Sequence, residues 1–208
     1  MHHSLPTFHV MPAGWDHPGW TGGFYPDDLP EDWRLSYFSN EFSEVLVPRC
    51  SWQEADPDEL QGWVDDVSAA FRFYLELQEP VEASLCAKRV EMLGGNFGGF
   101  VLTKDVAGKD LSLQMNTMAH GYTGKIYLLL DPGFPVCVPK LNQGLGVGLA
   151  LSLSGKVLGK LPAQREFLEK LQDQIPVDAQ VLLCFIDTTP PVESIKGFRQ
   201  LAELMGLA

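Results

Sequence analysis

Cysteine is scarce and scattered: Cys50, Cys86, Cys137 and Cys184 lie far apart, with no CxxC unit and no second pair at the spacing of a zinc site. Neither a disulfide framework nor a structural zinc centre is expected. Positive charge is equally thin. Fifteen Lys and Arg face 27 Asp and Glu, a formal net charge of −12, and a field of that sign repels phosphate backbones and anionic lipid heads. No nucleic-acid partner is expected. Uninterrupted apolar stretches of about 18 residues, the length needed to span a bilayer, do not occur. The opening Met1-His2-His3-Ser4-Leu5-Pro6 lacks the charged start and apolar run of a secretory signal. The expectation is a reduced, cytoplasmic, soluble protein with no membrane partner.

The sequence also lacks the common cofactor signatures. Gly148 and Gly155-Lys156 are too far apart for a P-loop, and Val157 stands where Ser or Thr would hold magnesium. Gly144-Leu145-Gly146-Val147-Gly148 has no third glycine and acidic partner of a dinucleotide site. A Gly-x-Ser-x-Gly nucleophile elbow is missing. Cys137 and Cys184 sit among apolar neighbours and read as small hydrophobes rather than nucleophiles. No cofactor and no metal can be named.

What is present is a globular composition: 208 residues, 45% hydrophobic and 20% charged. With no linker, repeat or low-complexity tract, a single domain over 1–208 is expected. Apolar runs of strand length recur at Phe8–Ala13, Glu44–Pro48, Phe71–Leu77, Phe97–Thr103, Lys125–Leu130, Gly146–Leu153 and Ala179–Asp187. The stretches between them carry helical periodicity. Pro30-Glu31-Asp32-Trp33 opens one helix, with Trp33, Tyr37 and Phe38 on its apolar face. Asp56-Pro57-Asp58-Glu59 opens another, with Leu60, Trp63, Val64 and Val67 as its stripe. Further helices are expected over Val81–Leu93, from Leu161 through Leu171, and over Ser194–Met205 before Gly206, with a weaker signal at Leu111–Met118; the Pro-interrupted 132–144 is taken as loop. Strand and helix in alternation predict a largely parallel sheet covered by helices on both faces. Periodicity alone leaves a closed barrel and an open doubly wound sheet on equal terms.

Gly14-Trp15-Asp16-His17-Pro18-Gly19-Trp20-Thr21-Gly22-Gly23-Phe24-Tyr25-Pro26, then Leu29-Pro30, Trp33, Tyr37 and Phe42, resembles the opening of the YecE-like family. Phe71-Arg72-Phe73 at the head of a third strand fits the same pattern, so the resemblance covers about residues 8–80. It implies a TIM-type barrel, here shortened. With no eighth strand in view unless 132–138 supplies one, an incomplete barrel of about seven parallel strands is expected. The departures are as informative. Where the family has Glu and Asn on its second strand this chain has Leu46 and Pro48, and where the family has a lysine ending the third strand it has Glu76.

In such barrels the chemistry lies at the C-terminal ends of the strands. That rule makes Asp16, His17, Trp20, Arg49, Glu76, Lys104, Asp131 and Asp187 the ligand-binding candidates, with Ser152 or Ser154, Glu79 and Asp105 beside them. An imidazole beside a carboxylate at 16–17 suits proton transfer. Arg49 and Lys104 suit an anion. Trp15, Trp20 and Tyr25 suit a sugar face. Asp131 and Asp187, ending very apolar strands, suit turn formation better than catalysis. The favoured reading is a non-catalytic barrel that binds a small molecule or a protein at this rim, with a homodimer covering the unpaired barrel edges. The alternative is a barrel enzyme acting on a phosphorylated or sugar-like small molecule.

Overall fold

The computed structural model describes residues 5–77, 83–103, 126–130, 147–155, 159–177 and 179–208. Seven strands run in parallel: β1 (Thr7–Pro12), β2 (Glu44–Val47), β3 (Arg72–Leu77), β4 (Phe97–Leu102), β5 (Ile126–Leu130), β6 (Val147–Leu153) and β7 (Gln180–Phe185). Their order in the sheet is β1-β7-β6-β5-β4-β3-β2. Six parallel ladders join them, and the sheet curls until its two outer strands meet. A single parallel bridge, Ala13 to Leu46, and the 2.8 Å bond from Gly14 N–H to the Leu46 carbonyl join β1 to β2. The result is a nearly closed seven-stranded barrel. The two strand edges therefore cover each other at their C-terminal ends within one chain.

Each strand is apolar on both faces because each face meets a core. Odd and even residues separate cleanly: Val181, Leu183 and Phe185 of β7 face outward to the helices, while Leu182 and Cys184 face the barrel axis. The axis is filled by Met11, Leu46, Tyr74, Val101, Tyr127, Leu129 and Ala150 as well. Two rings take most of this space. Tyr74 and Tyr127 meet edge to face at 5.6 Å, and each lies over a glycine of the next strand. A Cβ on Gly148 would sit 2.4 Å from the Tyr127 ring, and one on Gly98 2.9 Å from the Tyr74 ring. Gly98 is also the extra residue where the β3–β4 register shifts, so the bulge and the bulky ring are one device. Burial and the Glu44 carboxylate push the Tyr127 hydroxyl up to about 12 despite its bond to Tyr74.

The outer layer consists of α1 (Arg34–Ser39), α2 (Arg49–Glu54), α3 (Pro57–Asp65), α4 (Ala83–Leu93), α5 (Leu161–Gln174) and α6 (Val192–Leu204). Asp56 caps α3 as its sequence foretold, accepting from Glu59 N–H at 2.9 Å. Gly206 ends α6 in the left-handed region at φ 72°. Two details differ from expectation. A 3-10 turn over Glu31–Trp33 precedes α1 and rotates Trp33 outward, leaving it 63% exposed while Leu35 and Phe38 take the core face. The helix α2 is an addition: too short to show a periodicity, it buries one side chain, Trp52, whose indole N–H donates to the Glu76 carbonyl at 2.9 Å. The helix expected at Leu111–Met118 and the segment 132–144 lie outside the described residues.

Candidate functional site

The C-terminal rim between β1 and β2 is built by the segment 13–25, which leaves β1 and is clamped on both sides. The His17 imidazole places Nε2 2.7 Å from the Ala13 carbonyl and Nδ1 3.1 Å from the Thr188 carbonyl. Both neighbours are carbonyl oxygens, which only accept, so the ring is oriented by donation to this backbone. Beside it the Trp20 indole is buried and donates to the Pro190 carbonyl at 2.8 Å. Trp20 also stacks parallel to Phe38, 6.1 Å between centroids. It is thus part of the outer core. Tyr25, buried below, donates its hydroxyl to the Trp15 carbonyl, and burial, with Asp16 nearby, raises its pKa well above the usual phenol value.

Beneath this segment a cavity of about 480 Å³ opens at the rim. It is lined by Gly14 to His17 of this segment, by Glu31, Asp32 and Leu35 around the start of α1, and by Pro48 and Ser51 after β2. The remaining wall is the face of α3 that carries Glu59, Gly62 and Trp63, with Asp66 just past its end. Trp15 and Trp63 meet edge to face at 4.9 Å and give the cavity its apolar part. Carboxylates give it its charge. Asp16 is paired with Arg34, which also approaches Glu31 at 3.8 Å. Among the described residues no ion pair engages Asp32, Glu59 or Asp66. Burial, then neighbouring Asp65 and Asp32, raise the Asp66 carboxyl above its ordinary value.

The structure distributes the expected site residues widely. Asp16 and His17 line the cavity. Glu76 ends β3 and accepts from Arg49 N–H at 3.2 Å, so it caps the first turn of α2; the Arg49 side chain bonds Gln53 Oε1 at 3.0 Å. Asp187 ties β7 to the turn after β6, accepting from Ser154 Oγ at 2.6 Å and Gly155 N–H at 2.8 Å. Leu46 is buried in the barrel axis, whereas Pro48 lines the cavity. Lys104, Asp131, Glu79 and Asp105 lie outside the described residues. Sequence reasoning did not find Glu59, Gly62, Trp63 and Asp66 as a cavity wall. Its one available signal was Gly62, a glycine inside a well-capped helical pattern.

Among the described residues no group of three or more metal-binding side chains is assembled, and no helix is long and apolar enough to cross a membrane.

Residues 9–91 match the family described as protein of unknown function DUF72. The fold is similar to that of a DUF72 family protein from Thermotoga maritima, with a TM-score of 0.65 at 10% identity, covering 95% of this chain and 99% of that one. A DUF72 family protein from Enterococcus faecalis is also similar, with a TM-score of 0.57 at 10% identity and 100% of both chains covered. At these identities the likeness is one of fold. No curated protein matches the chain in sequence.

Proposed function

We propose that this chain is a divergent relative of the DUF72 proteins that binds a small molecule, without transforming it, in the cavity at the β1–β2 rim. The observation that carries the reading is the cavity itself. At about 480 Å³ it has the size of a small-molecule site, and it lies at the end of the barrel where such folds place their ligands. Among the described residues the barrel axis is occupied by Tyr74, Tyr127 and their apolar neighbours.

The state of the rim groups supports binding over catalysis. His17 spends both ring nitrogens on backbone carbonyls, Asp16 holds Arg34, Glu76 caps α2, and Asp187 braces a turn. A general base or nucleophile needs a free lone pair facing its substrate, and these groups are committed elsewhere. Leu46 and Pro48, where the family pattern has polar side chains, point the same way.

The test is a thermal-shift screen of a small-molecule library against the wild-type chain and Gly62→Leu, which fills the cavity. Compounds that raise the melting temperature of the first and not the second, and are recovered chemically unchanged after prolonged incubation, support the reading. A screen in which every stabilising compound acts equally on both proteins, or in which a hit is converted to product, overturns it.

A further inference from the structure

Resting on the cavity reading, we infer that the ligand is a small organic cation: an amine or guanidinium attached to an apolar body. Three independent features of the cavity meet in this. The first is a glycine without an internal reason. Gly62 lies inside α3 with no heavy atom within 4 Å of where its Cβ would stand, and its backbone is not in the left-handed region. Neither packing nor conformation calls for glycine there, and in a helix interior glycine is less stable than alanine. What the missing side chain leaves is room on the cavity wall, and room is useful only to something that enters it.

The second feature is charge. Asp16, Glu31, Asp32, Glu59 and Asp66 line the space, and neither a lysine nor an arginine does. His17, the one basic lining residue, is held by two carbonyls. Arg34, which stands behind Asp16, is already paired. The uncompensated negative charge is concentrated on the α3 side, where Glu59, Gly62 and Asp66 lie within two turns of one helix, and where the glycine opens the approach. An anion entering there would meet like charge; a cation would relieve it. The third feature is the Trp15–Trp63 pair, one ring from the 13–25 segment and the other from α3. Indoles attract cations through their faces and shelter apolar carbon. Phosphorylated and sugar-acid ligands, which the alternative reading of the sequence allows, find neither lysine nor arginine in this lining, and both ring nitrogens of His17 are taken by backbone carbonyls.

The experiment compares probes that differ in charge, three of them built on one aromatic ring. Benzylamine and agmatine are titrated into the intact chain beside benzyl alcohol and benzoate, with tryptophan fluorescence and calorimetry as readouts. Saturable binding of the amines, absent for benzoate, weakened about tenfold by raising the salt concentration and lost in Gly62→Leu, is the expected result. The doubly neutralised Glu59→Gln/Asp66→Asn should lose about tenfold in amine affinity, while Gly62→Ala should raise the melting temperature of the free protein. Failure of both amines to bind overturns the inference. Binding of benzoate or benzyl alcohol that Gly62→Leu abolishes also overturns it, yet leaves the cavity reading standing, so the two claims fail separately.

Discussion

His9 Nδ1 lies 3.0 Å from Glu44 Oε2, across the only gap in the barrel wall among the described strands. β1 and β2 are laddered to β7 and β3 on their other sides, but to each other only through Ala13 and Leu46 near their C-terminal ends. The imidazole and the carboxylate bind the N-terminal part of the same seam. Both side chains are largely shielded, 24% and 14% exposed, so their attraction is less screened than that of a surface pair. The seam is thus fastened by backbone above and by side chains below.

The two fastening groups should be energetically coupled. In a double-mutant cycle on His9→Ala and Glu44→Ala, read by urea denaturation, a coupling energy of about 1 kcal/mol is expected. Strict additivity of the two substitutions would show that the seam does not depend on them.

Packing of the barrel axis makes a second prediction. In Gly148→Ala the new methyl would lie 2.4 Å from the Tyr127 ring, which is buried and in edge contact with Tyr74. A loss of about 1–3 kcal/mol of stability is expected, the range for overpacked cores. Adding Tyr127→Leu should recover part of it. If Gly148→Ala alone is neutral, the two rings are not seated as described.

A third prediction concerns pH. The Asp66 carboxyl is raised in the folded chain, first by burial and then by Asp65 and Asp32. The native state therefore binds this proton more readily than the unfolded state does. Folding stability falls as pH rises from the ordinary carboxylate value to the raised one, and the deficit is complete above that. Asp66 also follows the C-terminal end of α3, where negative charge opposes the helix dipole. Asp66→Asn should stabilise the free protein at neutral pH by up to about 0.5 kcal/mol, the scale of a surface substitution, and the gain should vanish below about pH 4. Melting curves of both proteins at pH 3 and pH 7 decide it; an equal gain at both values would assign the effect to something other than ionisation.

The strands were legible because a parallel barrel buries both faces of each strand, and runs such as Val181–Ile186 and Tyr127–Leu130 follow directly from that requirement. Their ends agree with the sequence reading within about two residues. Helices were legible where caps and length coincide, as at Asp56-Pro57. Trp33 was placed on the wrong face because the 3-10 turn before α1 changes the angular step between successive side chains, which a helical wheel starting at Pro30 ignores. The cavity was not legible. Its walls come from four separated segments, and Glu59 and Asp66, taken alone, look like any solvated helix charges. Only the folded chain brings them opposite Asp32 and next to the space left by Gly62.

The clamp on the 13–25 segment has a consequence for the chain as a whole. The stretch that carries the recognisable family pattern, 9–91, is held by distant residues: Thr188 and Pro190 accept from His17 and Trp20, the Gly19 backbone passes so near Thr189 that a Cβ would come within 2.8 Å of its methyl, and Arg199 donates to the Glu41 carbonyl. Excised on its own, that stretch would lose the neighbours that give it shape. Its familiar-looking portion is therefore a tenant of its unfamiliar one, shaped by residues that lie at the far end of the chain.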